Sequence, residues 1–191
     1  KKFGESTAIL AGNSLLTIAF EILTSDALHL DKETKSDLVF ALASCSGHQG
    51  IAGGQYLDLS FEGKQQTQET IIDMENKKTG VLMGFCCEAA AIVGKKKELR
   101  EELRKIGLDM GLLFQVADDL LDAYGDQQKM GKPSKQDDIK GKVTLLSTLG
   151  LESTKKLAEN LLNKIQQSLK KYGSKSNRLV TSAEFILKRD H

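Results

Sequence analysis

Apolar positions recur along this chain at helical spacing rather than alternating, and they divide it into a succession of amphipathic stretches. Residues 5 to 24 carry Ile9, Leu10, Leu15, Leu16, Ile18, Ala19, Phe20 and Leu23, a nearly all-round apolar pattern that predicts a buried central helix. Residues 34 to 60 run from a Thr34/Ser36 start through Leu38, Val39, Leu42, Ile51, Leu57 and Leu59, interrupted by Gly47, Gly50, Gly53 and Gly54. Each glycine costs a helix about 1 kcal/mol against alanine unless another backbone or a ligand comes close. A loop over 47 to 54 is the alternative, and the pattern leaves both open. A third helix is predicted over 67 to 93, with Ile71, Ile72, Met74, Val81, Leu82, Phe85, Ala89 and Ile92 on its apolar side. After Lys95-Lys96-Lys97 a fourth runs from Glu98 to Ala123. Residues 125 to 142 are polar and rich in Gly and Lys, with the only proline at 133, and read as the longest loop. Two more amphipathic helices are expected at 152 to 172 and 177 to 188, the first with Leu157, Leu161, Leu162, Ile165 and Leu169 on one face. The chain reads as one all-α domain.

Composition narrows this further. With 191 residues, 40% of them hydrophobic, the chain can bury one substantial core. Lys plus Arg number 27 against 26 for Asp plus Glu, so charge gives no support for a nucleic-acid partner. No uninterrupted apolar run approaches the ~20 residues of a membrane span, and the chain opens on Lys1-Lys2 rather than a signal peptide; a cytoplasmic protein is expected. Cys45, Cys86 and Cys87 are an odd number with two adjoining, which fits a reducing compartment and small core residues better than a disulfide framework or a nucleophile.

Candidate chemistry lies in Phe114-Gln115-Val116-Ala117-Asp118-Asp119-Leu120-Leu121-Asp122, three carboxylates in five positions within an apolar, helix-forming run. Aspartate is a poor helix former and is seldom buried. Asp118 and Asp122 share a face at i and i+4, where like charges cost a helix a few tenths of a kcal/mol, a penalty that a cation reverses. An all-oxygen set with no nearby His or Cys suits a hard ion such as magnesium, which one or two carboxylates usually hold together with substrate phosphates. The alternative is a solvated acidic face, and spacing alone leaves both readings open. Lys129, Lys132, Lys135, Lys140 and Lys142 follow within about twenty residues. Lysine is a common point charge against phosphate, although lysine-rich loops are also ordinary solvated structure. Gly141-Lys142-Val143-Thr144 is not a P-loop end, since the glycine spacing is wrong and Val143 stands where Ser or Thr must bind the metal. His29 and His48 read as surface or helix-end residues.

Taken in order, Phe3-Gly4-Glu5, Ile9-Leu10-Ala11-Gly12, Gly53-Gly54-Gln55-Tyr56-Leu57-Asp58-Leu59, Lys78-Thr79-Gly80, the Phe114 to Asp122 segment, Gly131-Lys132 and Gly141-Lys142 resemble the C-terminal part of trans-isoprenyl diphosphate synthases of the bacterial farnesyl or geranylgeranyl type. The resemblance spans essentially the whole chain. It implies an all-α fold with helices packed around a central active-site cavity, residues 1–191 forming the C-terminal part of a single domain, usually homodimeric. It implies head-to-tail joining of isopentenyl diphosphate to an allylic diphosphate with magnesium. Asp118 and Asp122 would bind Mg2+ bridging the allylic diphosphate, with Asp119 supporting. Lys78, Thr79, Gln115, Lys132 and Lys142 would hold that diphosphate, and Asp118, Lys78 and Lys142 would carry the catalytic charge. Gln55 would lie near the reacting chain, Phe114 on the isopentenyl diphosphate side, and Lys188 and Arg189 close to it. Leu82, Phe85 and Leu121 would line the cavity.

The types suit the chemistry. Ionising an allylic diphosphate builds negative charge on the leaving oxygens, which lysines and a metal stabilise in a water-poor site. The isopentenyl double bond attacks the allylic cation, and the resemblance implies that the proton then lost goes to the departing diphosphate, so that no protein base is required. Water would quench the cation. Two departures from the family pattern stand out: the earlier aspartate-rich motif and its Arg-Arg pair have no counterpart ahead of Phe3, and Asn13 stands where relatives carry Asp. The reading expects a fragment lacking its N-terminal helices, with apolar surface over residues 9 to 23 left bare and little synthase activity on its own. A non-catalytic prenyl synthase-like subunit and a terpene cyclase are the alternatives. The Gly-Gly-Gln and Lys-Thr-Gly segments favour chain elongation.

Overall fold

Among the residues that the computed structural model describes, 2 to 124 and 142 to 189, nine α-helices and no strands occur. They are α1 (Glu5–Thr24), α2 (Lys32–Ser46), α3 (Ile51–Phe61), α4 (Gln68–Glu75), α5 (Val81–Val93), α6 (Arg100–Tyr124), α7 (Leu145–Leu149), α8 (Leu151–Leu169) and α9 (Asn177–Lys188). A π-helical segment, Asn76–Gly80, joins α4 to α5, so the expected helix over 67 to 93 is continuous but carries a wider turn in its middle. Helix starts follow local side chains. Asp31 accepts the Thr34 N–H at 2.9 Å and the Thr34 hydroxyl at 3.0 Å, which moves the start of α2 back from the expected Thr34/Ser36. Thr67 caps α4, and Thr144 and Ser147 cap α7 reciprocally.

α6 is the axis of the larger core. Its Ile106, Met110, Leu112, Leu113 and Val116 are buried against Ile71 and Met74 of α4, Leu145 of α7, Ala158, Leu161, Ile165 and Leu169 of α8, and Ala183 of α9. Two smaller clusters join α2 to α5, one around Leu38, Ala41 and Ile92, the other around Leu42, Cys45 and Val81. Cys45 is a core residue as expected, whereas Cys86 is exposed and Cys87 half-buried.

The glycine run resolves into a turn and a contact. Gly47 ends α2 and the chain bends before α3 starts at Ile51, so Gly53 and Gly54 are helical. A Cβ on Gly54 would stand 2.2 Å from the Lys78 backbone nitrogen. On the other side of that segment, a Cβ on Gly111 would stand 2.5 Å from the Gly80 Cα. These two glycines clamp the π segment between α3 and α6 with no side chain between the backbones.

α1 departs from expectation. It forms over the predicted residues, yet none of them is buried: Ile9, Leu10 and Leu15 are each more than 60% exposed, and only Ala19, Phe20 and Leu23 near its end pack on the α2 and α5 clusters. The bare apolar surface expected over residues 9 to 23 is therefore present. α1 is also long and apolar enough to cross a membrane by length and composition, against the expectation that no run is. Asn13, Ser14 and Thr17 break its apolar run in sequence without lowering its average enough.

Candidate functional site

The π segment aims the first functional side chain. One extra residue in the turn rotates the helix beyond it, and Lys78, the third residue of the segment, sends Nζ to Asp58 Oδ2 on α3 at 2.6 Å. Both partners are largely covered, so neither charge is stranded while the other remains. One turn earlier Glu75, at 7% exposure, lines one cavity with Gln115 of α6. One of its oxygens, Oε2, has no hydrogen-bond partner among the described residues. Burial pushes the Glu75 carboxyl up to about 7, with the Asp58 charge adding to the rise and Lys78, Gln115 and Lys142 opposing it.

α6 supplies the acidic side. Gln115 and Asp118 stand at i and i+3, with Asp122 one turn further on. The Asp118 side chain is 41% exposed, while Asp119 and Asp122 are buried. Asp119 Oδ2 accepts the Leu145 N–H at 3.1 Å and so ties the start of α7 to α6. Arg189, just past α9, folds over this end: its guanidinium lies 4.0 Å from the Phe114 ring centroid, and Nη2 is 3.4 Å from both the Phe114 carbonyl and Asp118 Oδ1.

Asp58, Glu75, Lys78, Gln115, Asp118, Asp119 and Lys142 line one small cavity of about 50 Å3, closed by Val143 and Thr144. It shares Lys142 and Val143 with a wider groove of about 470 Å3 that reaches Lys64 and Gln66. Side chains from four parts of the sequence thus meet at one place, with two ammonium groups set among carboxylates. The donor chemistry fits a hard divalent cation, all oxygen with no soft ligand. Among the described residues no three His, Cys, Asp or Glu groups converge as a ready cage.

Of the residues singled out from sequence, the fold brings together Lys78, Gln115, Asp118, Asp119 and Lys142. Thr79 is half-buried next to Lys78, and Asp122 is buried along α6. Gln55 is exposed on α3, one turn before Asp58, and Phe114 lies under Arg189. Lys132 lies outside the described residues, as do Lys129, Lys135, Lys140, Gly131 and Gly141. Of the expected cavity wall, Leu82 is exposed, Phe85 packs into the α2/α5 clusters, and Leu121 is half-buried. His29 and His48 are exposed, as expected. Sequence reasoning gave no role to Asp58 or Glu75. The available signal was a carboxylate three residues before Lys78, set beside Met74 in an apolar stripe.

The family model for polyprenyl synthetase matches residues 1–181. Farnesyl diphosphate synthase of Escherichia coli K12 is 37% identical over 195 residues, 99% of this chain and 65% of its own length. The Bacillus subtilis farnesyl diphosphate synthase is 35% identical over 196 residues, again 65% of its length. Among solved structures, an FPP/GFPP synthase from Zymomonas mobilis superposes with TM-score 0.83 at 36% identity, covering 97% of this chain and 62% of that one. A geranyltransferase from Helicobacter pylori, complexed with magnesium and isoprenyl diphosphate, gives 0.82 at 29%, covering 97% and 61%. This chain therefore spans slightly under two thirds of these relatives.

Proposed function

This chain belongs to the polyprenyl synthetase family, and from that premise we propose that its protein condenses isopentenyl diphosphate with an allylic diphosphate to a short isoprenyl diphosphate of the farnesyl or geranylgeranyl class. The observation that carries the reading is the convergence of Lys78, Gln115, Asp118 and Lys142 on one cavity from separate helices and the segment before α7.

In this reading Lys78 and Lys142 bind the allylic diphosphate and offset the negative charge that grows on its oxygens as the C–O bond breaks. Gln115 orients it by hydrogen bonding. Asp118, with Asp119 and Asp122 in support, holds magnesium, which supplies Lewis-acid neutralisation of the leaving diphosphate. Thr79 and Lys132 complete the diphosphate contacts, and Gln55 flanks the hydrocarbon chain. Phe114, with Arg189 stacked on it, lies towards the isopentenyl diphosphate. The magnesium-bound geranyltransferase structure supports the metal and the ligand class. The protein works as a cytoplasmic homodimer.

The test is a magnesium-dependent assay of the protein that carries this chain, with labelled isopentenyl diphosphate and allylic primers of increasing length. Elongated product that disappears on chelation of magnesium is expected. Folded protein that yields no product with any primer overturns the reading.

A further inference from the structure

Glu75 is out of place in an anion site. A carboxylate at 7% exposure, among the groups proposed to hold a diphosphate, repels the ligand if ionised and fails to attract it if neutral. A role confined to packing is a poor account, because a buried carboxyl costs more than an apolar side chain of its size unless its hydrogen bonds are used. The Gln115 side chain of α6 lines the same cavity and lowers the Glu75 carboxyl as a hydrogen-bond donor does. One Glu75 oxygen, Oε2, is buried with no hydrogen-bond partner among the described residues, and the cavity of about 50 Å3 has room enough for a water or a phosphate oxygen.

We propose that Glu75 is a positioning residue of the diphosphate site, acting through Gln115. The inference rests on the synthase reading above. A glutamine amide has a donor end and an acceptor end of nearly equal shape, and which end faces a ligand is decided by its hydrogen-bond partners. Ionised, the Glu75 carboxylate only accepts, so it draws the Gln115 nitrogen towards α4; the flipped amide would set oxygen against oxygen. One N–H is then spent on Glu75, and the second is left for a diphosphate oxygen in the cavity that Lys78 and Lys142 also line. Glu75 also lies within the fields of Lys78 and Lys142, while Asp58 takes the direct bond from Lys78, so the two carboxylates keep the ammonium groups gathered before the ligand arrives. Preorganised donors of this kind cost nothing to align when the anion binds.

The opposing effect, repulsion between Glu75 and the anion, makes the proposal decidable. Glu75→Met keeps length and volume and removes the acceptor; Glu75→Gln removes the charge and keeps an acceptor carbonyl. If repulsion dominated, both variants would bind anions more tightly than wild type. If positioning dominates, only the methionine variant loses affinity. The measurement is calorimetric binding of inorganic diphosphate with magnesium to the whole protein at about pH 8, where the carboxyl is ionised, with a circular dichroism melt confirming that each variant is folded. Glu75→Gln is expected within threefold of wild type and Glu75→Met at least tenfold weaker, with KM for the allylic substrate raised in parallel and kcat changed less than threefold. In a Gln115→Ala background the two variants should converge to within twofold, since the group Glu75 acts through is gone. Less than fivefold separation of the two variants, or separation that persists without Gln115, overturns the proposal. Turnover by wild type is measured first: its absence defeats the synthase reading, while the Glu75 comparison is still read in diphosphate binding.

Discussion

Glu75 also sets a dependence of stability on pH that belongs to a single residue. Burial raises its carboxyl from 4.5 to about 7, so between those values the folded chain holds a proton that the unfolded chain has released. Stability from this group is complete below pH 4.5 and declines as pH rises to about 7, a loss on the order of 3 kcal/mol. Glu75→Gln has no proton to lose. The variant and wild type should therefore unfold at nearly the same denaturant concentration at pH 4 and separate by about 3 kcal/mol at pH 8, the variant being the more stable. Parallel curves across that range would mean that the carboxyl ionises freely in the fold. The residue scale is also where the sequence was most unevenly legible. Lys78, Gln115, Asp118, Asp119 and Lys142 were recognisable from motif and spacing, and the fold gathers them. Glu75 was not, because a glutamate in a helix is ordinary and only burial makes it costly. Asp58 was visible within a motif, but its ion pair with Lys78 spans twenty residues and depends on how α3 meets the π segment.

At the scale of elements, hydrophobic period located the described helices longer than two turns, with the start of α3 left open between helix and loop, and boundaries missed by a few residues where a cap decided them, as at Asp31. α7, five residues long, was missed: one turn gives no period, and its signal is a Thr144/Ser147 cap. The π segment was equally silent, since i to i+5 bonding leaves no compositional mark. What the sequence did show was the glycine run, and its cost now has a cause. Gly54→Ala would place a Cβ 2.2 Å from the Lys78 nitrogen, against backbone that cannot swing aside. α3 and the π segment would have to separate, carrying Asp58 away from Lys78. The variant should lose about 1–3 kcal/mol of stability and bind magnesium diphosphate less tightly, because the strain acts on the segment that aims Lys78. Unfolding curves and calorimetry on the same sample check both. Gly63→Ala serves as a control, since it adds only the local strain of a positive φ, away from Lys78, with nothing within 4 Å of the new Cβ.

On the scale of the whole molecule, the two halves of the bundle are not equally finished. α4 to α9 enclose a continuous core around α6, and most of the site's residues belong to that half. Among the described residues α1 is attached only near its C-terminal end, through Ala19, Phe20 and Leu23, and turns Ile9, Leu10, Leu15, Leu16, Ile18 and Ile22 outward. Composition could foresee the apolar face but not which way it points, because an all-round apolar pattern is the mark of burial and says nothing about what does the burying. Six large apolar side chains along one 20-residue helix form a patch beyond what monomers in water usually leave uncovered. These 191 residues expressed alone should therefore associate through α1 in a concentration-dependent way. Sedimentation velocity across a hundredfold range of concentration would show this as a rising weight-average mass. Leu15→Lys together with Ile18→Lys, two exposed positions outside the core clusters, should suppress it without lowering the melting temperature by more than a few degrees. A chain that stays monomeric over the whole range would mean that α1 closes onto its own bundle in water, burying a face that the structure leaves open.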